Sequence, residues 1–291
     1  MTYEIKPKRK MIDKNNIPTH DLSADYKINT EFISHKNTYD SNQIHKHNYY
    51  EILFFEKGGG FQQIDFNKIP VKNFSCYIVK PRQVHLVKKK PEADGLLIQF
   101  TDTMILPDVF LNSLSILKLH LSSEILFEEN ESTFNNFLSS LHSIQKLGNN
   151  KPQFYKEKTV HLLSNLLYSL EEIVVKERKG VKLLNNDLIF KFIELVEQYL
   201  NSLSIKEYAD KLGVSTKKLT SIIKEQFDVT PLKYIHNILL LNIKRDLVFK
   251  KLSHKEIAYN YNFDSPSNFS LFIKKHTGLT PTKLQELLNS F

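Results

Sequence analysis

The most constraining feature of this 291-residue sequence is an internal repeat in its C-terminal third. Two segments align when the chain is shifted by 49 residues up to a turn and by 50 residues after it, because Asp264 is one extra residue. Matching residue types at structurally demanding positions predict two copies of one supersecondary unit. The aligned pairs are Ser204 and Ser253, Ala209 and Ala258, Leu212 and Tyr261, Gly213 and Asn262, Val214 and Phe263, Ser215 and Ser265, Leu219 and Phe269, Ile223 and Ile273, Lys224 and Lys274, and Thr230-Pro231 and Thr280-Pro281.

Each copy carries the start and stop signals of two short helices. Ser253 followed by Glu256 is a capping box, and Ser215 and Ser265 are suitable N-caps for the second helices. Between the helices, Gly213 and Asn262 stand where a left-handed backbone conformation is needed, which glycine adopts at lower cost than asparagine. The pattern predicts helix-turn-helix units at 204–227 and 253–277.

The second helix of each unit is predicted to expose a polar, basic face. Lysine, serine, threonine and asparagine side chains can reach DNA phosphates and base edges, and an α-helix fits the major groove. An ordinary solvated helix face is the alternative interpretation. We predict DNA contacts from Lys217, Lys218, Thr220, Ser221 and Lys224 in the first unit, and from Ser267, Asn268, Leu271, Lys274 and Lys275 in the second.

The segment between the units is predicted to be one long helix. Thr230-Pro231 is a capped start, and the helix would run to about Lys250. Its roughly 20 residues would span roughly 30 Å. Successive major-groove faces on one side of B-DNA lie roughly 34 Å apart. One chain could therefore present two recognition helices to neighbouring grooves.

Bulk properties agree with a cytoplasmic protein that binds a polyanion. The formal net charge is +8, from 40 lysines and arginines against 32 acidic residues. The single Cys76 excludes an intramolecular disulfide framework and suits a reducing compartment. We see neither a signal peptide nor an apolar stretch long enough for a membrane span, so we expect no membrane contact.

The front of the chain has the pattern of a small β-barrel or sandwich. From about residue 43 to 100, short apolar runs alternate with turn residues. Tyr49–Lys57 and Phe61–Phe66, separated by three glycines, are predicted to pair as a hairpin. Helical spacing follows, most clearly at Phe154–Lys176, where it indicates a helix packed on the barrel, a dimerisation helix, or a helix that does both.

These patterns predict an α+β protein of two domains. We expect an irregular lead-in at 1–35, a barrel domain with C-terminal helices at 36–178, a linker at 179–186 and an all-α domain at 187–288.

The second unit resembles a known family signature. Ile257-Ala258, Phe263, Ser265, Phe269, Lys274-Lys275, Gly278 and Thr280-Pro281 occur in the order and spacing of the DNA-binding domain of AraC/XylS-type bacterial transcription regulators. The resemblance implies seven helices, two helix-turn-helix units and sequence-specific promoter binding. Base-reading positions of relatives match Lys217, Thr220 and Ser221, and Pro266, Ser267 and Leu271. The chain departs from the family at Asn262, usually glycine, and at Leu239 and Gln285, where arginine is frequent.

The front domain is similar to the cupin-like effector domain of many such regulators. His45, His47, Glu51 and Gly58 follow the first cupin motif, with Tyr39 in place of its leading glycine, and Pro81–His85 resembles the second. The resemblance implies a small-molecule effector bound by some of His45, His47, Tyr49, Glu51, Gln63 and His85. We expect no resident cofactor, although His45, His47, Glu51 and His85 would suit a divalent metal.

The function predicted from these features is transcription regulation in response to a small-molecule effector, with the choice between an activator and a repressor left open. Double-stranded DNA, RNA polymerase and a second copy of the chain are the expected partners, and no enzymatic activity is expected. Two alternatives remain: a metal-dependent cupin enzyme with a helical accessory domain, and a nonspecific nucleoid-type binder.

Overall fold

The chain divides into two units, Met1–Lys179 and Gly180–Phe291. The structure is a computed structural model, and it describes residues 18–22, 28–33, 43–101, 104, 114–118, 124–127, 131–177, 187–250 and 252–289. The predicted linker at 179–186 lies outside these residues, and the domain limits stay predictions. None of the described helices has the length and apolarity of a membrane span.

Two five-stranded sheets form the body of the first unit. In chain order its elements are β1 (Thr19–His20), β2 (Ile28–Ile33), β3 (His45–His47), β4 (Tyr50–Lys57), β5 (Gly60–Ile64), β6 (Asn67–Pro70), β7 (Ser75–Val79), β8 (Val84–Lys89), β9 (Asp94–Phe100), α1 (Ser115–Lys118), β10 (Glu124–Leu126), α2 (Glu131–Asn150) and α3 (Tyr155–Glu177). One sheet has the order β1-β3-β8-β5-β6 and the other β10-β7-β4-β9-β2. All pairings except the parallel β1–β3 pair are antiparallel.

Strand β4 is buried on both faces, because successive side chains of a strand point to opposite sides. Leu53 and Phe55 lie in a buried cluster with Val87 of the other sheet. Ile52 and Phe54 face the opposite way, into a cluster completed by α2 and α3. From α3 this second cluster takes Leu163, Leu166, Leu167 and Leu170, so the predicted packing of this helix on the barrel is confirmed.

The predicted hairpin of β4 and β5 is wrong. Strand β4 pairs with β7 and β9, whereas β5 pairs with β6 and β8, so the glycine segment carries the chain from one sheet to the other. Gly60 has a φ of 92°, and a Cβ there would lie 1.8 Å from the backbone oxygen of Lys88. A glycine at position 60 therefore lets the chain pass close to the backbone of β8 as it crosses between the two sheets. Alternation in the sequence identifies strands, but their partners depend on distant segments.

The predicted irregular lead-in is also corrected within the described residues. Ile28–Ile33 forms β2, which pairs with β9 along all six residues, from Ile28 with Phe100 to Ile33 with Gly95. The strand character of this segment is hard to recognise in the sequence, because the polar Asn29, Thr30 and Glu31 of this edge strand are half-buried whereas the apolar Phe32 is 49% exposed. Most of the remaining lead-in lies outside the described residues.

The described part of the second unit is entirely helical between its turns. Its helices are α4 (Asp187–Gln198), α5 (Ile205–Lys211), α6 (Thr216–Phe227), α7 (Pro231–Phe249), α8 (His254–Asn260), α9 (Pro266–Thr277) and α10 (Pro281–Asn289). These are the seven helices implied by the resemblance. Both capping boxes form: the Ser204 and Ser253 hydroxyls accept from the backbone N–H of Glu207 and Glu256, whose carboxylates accept in return.

Candidate functional site

The two helix-turn-helix units repeat in burial as well as in sequence. Residues 204–214 and 253–263 show the same order of buried, half-buried and exposed side chains, and so do residues 217–231 and 267–281. Leu219 and Ile223 of α6 are fully buried, as are Phe269 and Ile273 of α9. The two second helices are therefore held by equivalent packing and present equivalent faces to solvent.

The predicted DNA contacts lie on these two exposed faces. In the first helix-turn-helix unit Lys217, Lys218, Ser221 and Lys224 are exposed and Thr220 is half-buried. In the second helix-turn-helix unit Ser267, Asn268, Leu271, Lys274 and Lys275 are exposed. Leu271 leaves 65% of its surface in solvent, an unusual position for a large apolar side chain. The structure thus groups the residues of each unit, while their contacts with DNA stay predictions.

An open groove runs beside the exposed face of α9. It has a volume of about 620 Å³ and is lined by His254, Pro266, Ser267, Ser270, Leu271, Lys274, Thr280, Pro281 and Thr282. Residues at the start of α10 thus line the same groove as residues of α9.

The turns between the helices have the backbone conformation that the sequence indicates. Gly213 has a φ of 66° and Asn262 a φ of 56°, both left-handed. The recognition helices end in the same way, with Asp228 at a φ of 55° and Gly278 at 75°. Left-handed residues at these four points turn the chain sharply, so that each recognition helix projects from its unit.

Two histidines meet where α7 packs against α9. The rings of His236 and His276 lie 4.9 Å apart, and both contact the Phe272 ring, at 5.3 Å and 4.4 Å. Burial lowers the pKa of His236 from its ordinary value of 6.5, and His276, Lys275 and Lys233 lower it further. Burial also lowers the pKa of His276, with Lys233 and Lys275 acting in the same direction.

This pair predicts a loss of stability in mild acid. Unfolded histidine takes up a proton near pH 6.5, and folded His236 does so only at lower pH, so stability is complete above that value and falls below it. We expect urea unfolding to show a lower free energy at pH 5.5 than at pH 7.5, and a smaller difference in His236→Gln. Equal pH dependence in the two proteins would show that His236 is not the group responsible.

The N-terminal unit, Met1–Lys179, contains a buried histidine–carboxylate cluster between its two sheets. His45 and His47 of β3, Glu51 of β4 and His85 of β8 are each at most 3% exposed. One ligand atom each from His47, Glu51 and His85 lies within 4.8 Å of the other two. The His45 ring packs against that of His85, with centroids 4.1 Å apart, but His45 is not part of this three-residue set. The structure therefore brings together three of the four residues that would suit a divalent metal, although no metal was predicted.

Hydrogen bonds orient the cluster and define its free atoms. The Nδ1–H of His47 donates to the Tyr49 carbonyl at 2.7 Å, which leaves the Nε2 lone pair of His47 buried without a partner among the described residues. Gln99 donates from Nε2 to Oε2 of Glu51 at 2.7 Å. Both ring nitrogens of His85 are also buried without a hydrogen bond among the described residues.

Burial disfavours the charged form of both histidines of the set. Burial lowers the pKa of His47, against the opposing effect of Glu51. Burial, together with His45 and His47, lowers the pKa of His85 well below its usual range. The 3.9 Å separation of His85 Nδ1 from Glu51 Oε1 is too long for a hydrogen bond, and with His85 neutral it is no ion pair. Neutral imidazole is the form that accepts a metal or a hydrogen bond.

Of the other predicted effector residues, Tyr49 lies at the cluster and Gln63 does not. The Tyr49 ring stacks on His47 with centroids 4.1 Å apart. Gln63 is half-buried and donates to the backbone oxygen of Asp65 at 3.2 Å. Its neighbour Gln62 shares the inner face of β5 with Ile64 and is fully buried, with both amide atoms unpaired among the described residues. Strict strand alternation from Ile64 was the signal that selects Gln62.

Comparison with known proteins decides the family. A family model described as a helix-turn-helix domain matches residues 208–286. The probable transcription factor PqrA of Proteus vulgaris is 33% identical over 101 residues, which are 35% of this chain and 82% of that protein. The chain belongs to the AraC/XylS family of transcription regulators.

Similarity extends beyond the DNA-binding unit. The HTH-type transcriptional activator RhaS of Escherichia coli O81 (strain ED1a) is 21% identical over 260 residues, covering 85% of this chain and 88% of that protein. The crystal structure of ToxT from Vibrio cholerae O395 aligns at 16% identity with a TM-score of 0.41, over 91% of this chain and 98% of that one. As predicted, this AraC/XylS protein is a DNA-binding transcription regulator, and its described sheets and helices are of the α+β class.

The departures from the family pattern have local structural explanations. Leu239 is fully buried in α7, where an arginine would need a partner. Gln285 of α10 donates from Nε2 to the backbone oxygen of Leu247 at 2.5 Å, and its Oε1 lies 3.1 Å from Nε2 of His254. Gln285 thus satisfies a carbonyl in the last turn of α7 and joins three helices of the second unit.

Proposed function

We propose that this AraC/XylS regulator binds promoters by placing α6 and α9 in successive major grooves. The observation that supports the proposal is the repeat of burial, which exposes an equivalent polar face on both helices. Lys217, Lys218 and Lys224 in the first unit, and Lys274 and Lys275 in the second, would contact phosphates. The 19 residues of α7 span about 28 Å, which is compatible with the groove spacing of about 34 Å.

The two units divide base reading between them. Thr220 and Ser221 of α6 carry hydroxyls that reach base edges by hydrogen bonds, as does Ser267 of α9. Leu271 offers only an exposed apolar surface, which suits the methyl group of thymine. Under this proposal the first unit supplies most of the hydrogen-bonded sequence choice, and the second adds phosphate contacts and apolar reading.

Selection of binding sites from random DNA tests the proposal. We expect two conserved half-sites separated by about one helical turn, roughly 10 base pairs, because one chain presents two recognition helices. Variants of Thr220 and Ser221 should alter one half-site, and variants of Leu271 the other. Selection without a sequence preference would refute the proposal and favour the nonspecific nucleoid-type alternative.

We further propose that the buried cluster of the barrel binds the effector and has no catalytic role. The lone pair of His47 Nε2, the carboxylate of Glu51 and a ring nitrogen of His85 converge within 4.8 Å. Imidazole nitrogens and a carboxylate that converge in this way suit an electropositive occupant, which is either a hydroxyl- or ammonium-bearing molecule or a divalent cation. His47, Glu51 and His85 would hold such a cation, which would organise the ligands around it. Gln62 lies two residues along β5 from Ile64, the partner of His85.

Calorimetric titration of the whole chain distinguishes these occupants. Zn²⁺ or Mn²⁺ would bind one equivalent per chain if the cluster is a metal centre, and we expect His85→Gln to abolish that binding. Small polyols and amines form the second arm of the titration. The matched control is His161→Gln, because His161 is an exposed histidine of α3. This variant should bind each ligand as the wild type does. An occupant that binds His85→Gln and wild type equally would exclude this cluster as its site.

The remaining partners are proposed from the family. Relatives such as RhaS are transcriptional activators, so we propose that this chain also recruits RNA polymerase and acts in the cytoplasm, where its promoters lie. A homodimer formed through the N-terminal unit, Met1–Lys179, would double the number of half-sites engaged. Sedimentation velocity at micromolar concentration tests that dimer.

A further inference from the structure

The turn of the second helix-turn-helix unit is tied to a loop that precedes the first unit. Asn201, in the loop between α4 and α5, donates from its side-chain amide to the backbone oxygen of Tyr261 at 2.6 Å. Asn262 donates from its own amide to the hydroxyl oxygen of Ser202 at 2.8 Å. Two reciprocal hydrogen bonds thus join segments about sixty residues apart, and we call this pair of bonds the loop–turn tie.

The tie lies where the two copies of the repeat differ. Tyr261 and Asn262 correspond to Leu212 and Gly213 of the first unit, which carry no polar side-chain group. Asn262 also stands where the family usually has glycine. Its φ of 56° is left-handed, and glycine adopts that conformation more readily. The asparagine therefore does not favour the turn itself, and its amide makes a contact that glycine cannot make.

The same turn is also anchored to the connecting helix. The Tyr261 hydroxyl donates to Oδ2 of Asp246 on α7 at 3.0 Å, and Lys250 donates to the same carboxylate at 2.9 Å. With the tie, the turn before α9 is held both by α7 and by the loop before α5. A rotation of the second helix-turn-helix unit about α7 would break the loop–turn tie, because the two bonds of the tie reach the loop before α5.

We propose that Asn201 and Asn262 are positioning residues that set the angle between the two helix-turn-helix units, and hence the half-site spacing that the protein accepts. The inference rests on the proposed binding of both units to DNA. Neither residue lies on the exposed face of α6 or α9, so their effect passes through the orientation of the units. Rigid units pay less conformational entropy on binding two correctly spaced half-sites, and they lose more when the spacing is wrong.

The double variant Asn201→Gly/Asn262→Gly tests this directly, because glycine keeps both left-handed turns and removes only the amides. The probes are three DNA duplexes: the full selected site, the site with five base pairs inserted between its halves, and the first half-site alone. We expect unchanged affinity for the single half-site and about tenfold weaker binding of the full site, since each hydrogen bond contributes roughly two- to tenfold. The penalty for the insertion should shrink in the variant.

Asp228→Gly is the matched control, since Asp228 has a φ of 55° at the end of α6 and takes no part in the tie. Removal of its charge should affect all three duplexes alike. A second pair of variants isolates the donor. Asn201→Asp cannot donate to the Tyr261 carbonyl and should lose part of the spacing preference that the double glycine variant loses, whereas Asn262→Asp can accept from the Ser202 hydroxyl and should keep the spacing preference.

Each outcome decides between the proposals. If wild type gains no affinity from the second half-site, both the two-groove binding and this inference are wrong. If wild type gains affinity and the double variant gains equally, with the same insertion penalty, only the role of the tie is wrong. If the double variant loses affinity for the single half-site and the full site in equal proportion, the asparagines support folding and do not set the angle.

Discussion

Replacing Lys217 and Lys274 together with alanine is expected to weaken promoter binding strongly and to flatten its dependence on salt. Both side chains are exposed on the recognition helices, one in each unit. Each lysine that neutralises a phosphate contributes about 0.9 to the slope of log affinity against log salt, so the double variant should lose about two units of slope. Gel-shift titrations at several salt concentrations measure both quantities.

The single variants and a distant lysine complete this test. Lys217→Ala and Lys274→Ala should each lose about one unit of slope, and Lys274→Ala should leave the relative affinities for different sequences nearly unchanged. Lys146→Ala removes the same charge from the exposed face of α2 in the other unit and should have little effect. Unchanged affinity in both single variants and in the double variant would overturn the assignment of these lysines to the DNA interface.

Of the substitutions proposed for the C-terminal unit, Gly180–Phe291, Phe269→Ala is expected to have the largest effect on its stability. The Phe269 side chain is fully buried in α9, and its ring packs edge-on against Phe263 with centroids 5.4 Å apart. Truncation of a buried phenylalanine costs about 3–5 kcal/mol, a large part of the roughly 5–15 kcal/mol that holds a domain folded. Hydrogen exchange measured by mass spectrometry on peptides from α8 and α9 should report this loss.

Leu271→Ala provides the matched control on the same helix. Leu271 is 65% exposed, so its truncation should change the free energy of unfolding by less than about 0.5 kcal/mol. Full protection of α9 in Phe269→Ala would contradict the packing described here. Loss of DNA binding by Leu271→Ala with unchanged protection would instead support its proposed contact with thymine.

The second unit was predicted largely from its sequence, because its signals are local. Capping boxes at Ser204 and Ser253, N-caps at Ser215 and Ser265, and a capped start at Thr230 all specify helix ends within three or four residues. The repeat then multiplied this information, since each copy supported the interpretation of the other. The helices of both helix-turn-helix units, the helix between them and both left-handed turns followed without knowledge of any distant contact, while the count of seven helices came from the family resemblance.

The first unit was predicted less well, because its order comes from contacts between distant segments. The strand runs were recognised, but the partners of β4 and β5 were not, and the edge strand β2 was taken for irregular chain. The motif residues His47, Glu51 and His85 do converge, as the resemblance to cupins implied. Gln63 was chosen where strand alternation places Gln62 in the interior.

Residue order alone thus determined the helices, their caps and the basic faces of α6 and α9, because a helix closes its hydrogen bonds within four residues. Only the tertiary structure decided which strands pair, which side chains meet in the barrel and how the turn at Tyr261 and Asn262 is tied to Asn201 and Ser202. These contacts join residues far apart in the chain, and no local pattern records which distant residue will be the partner.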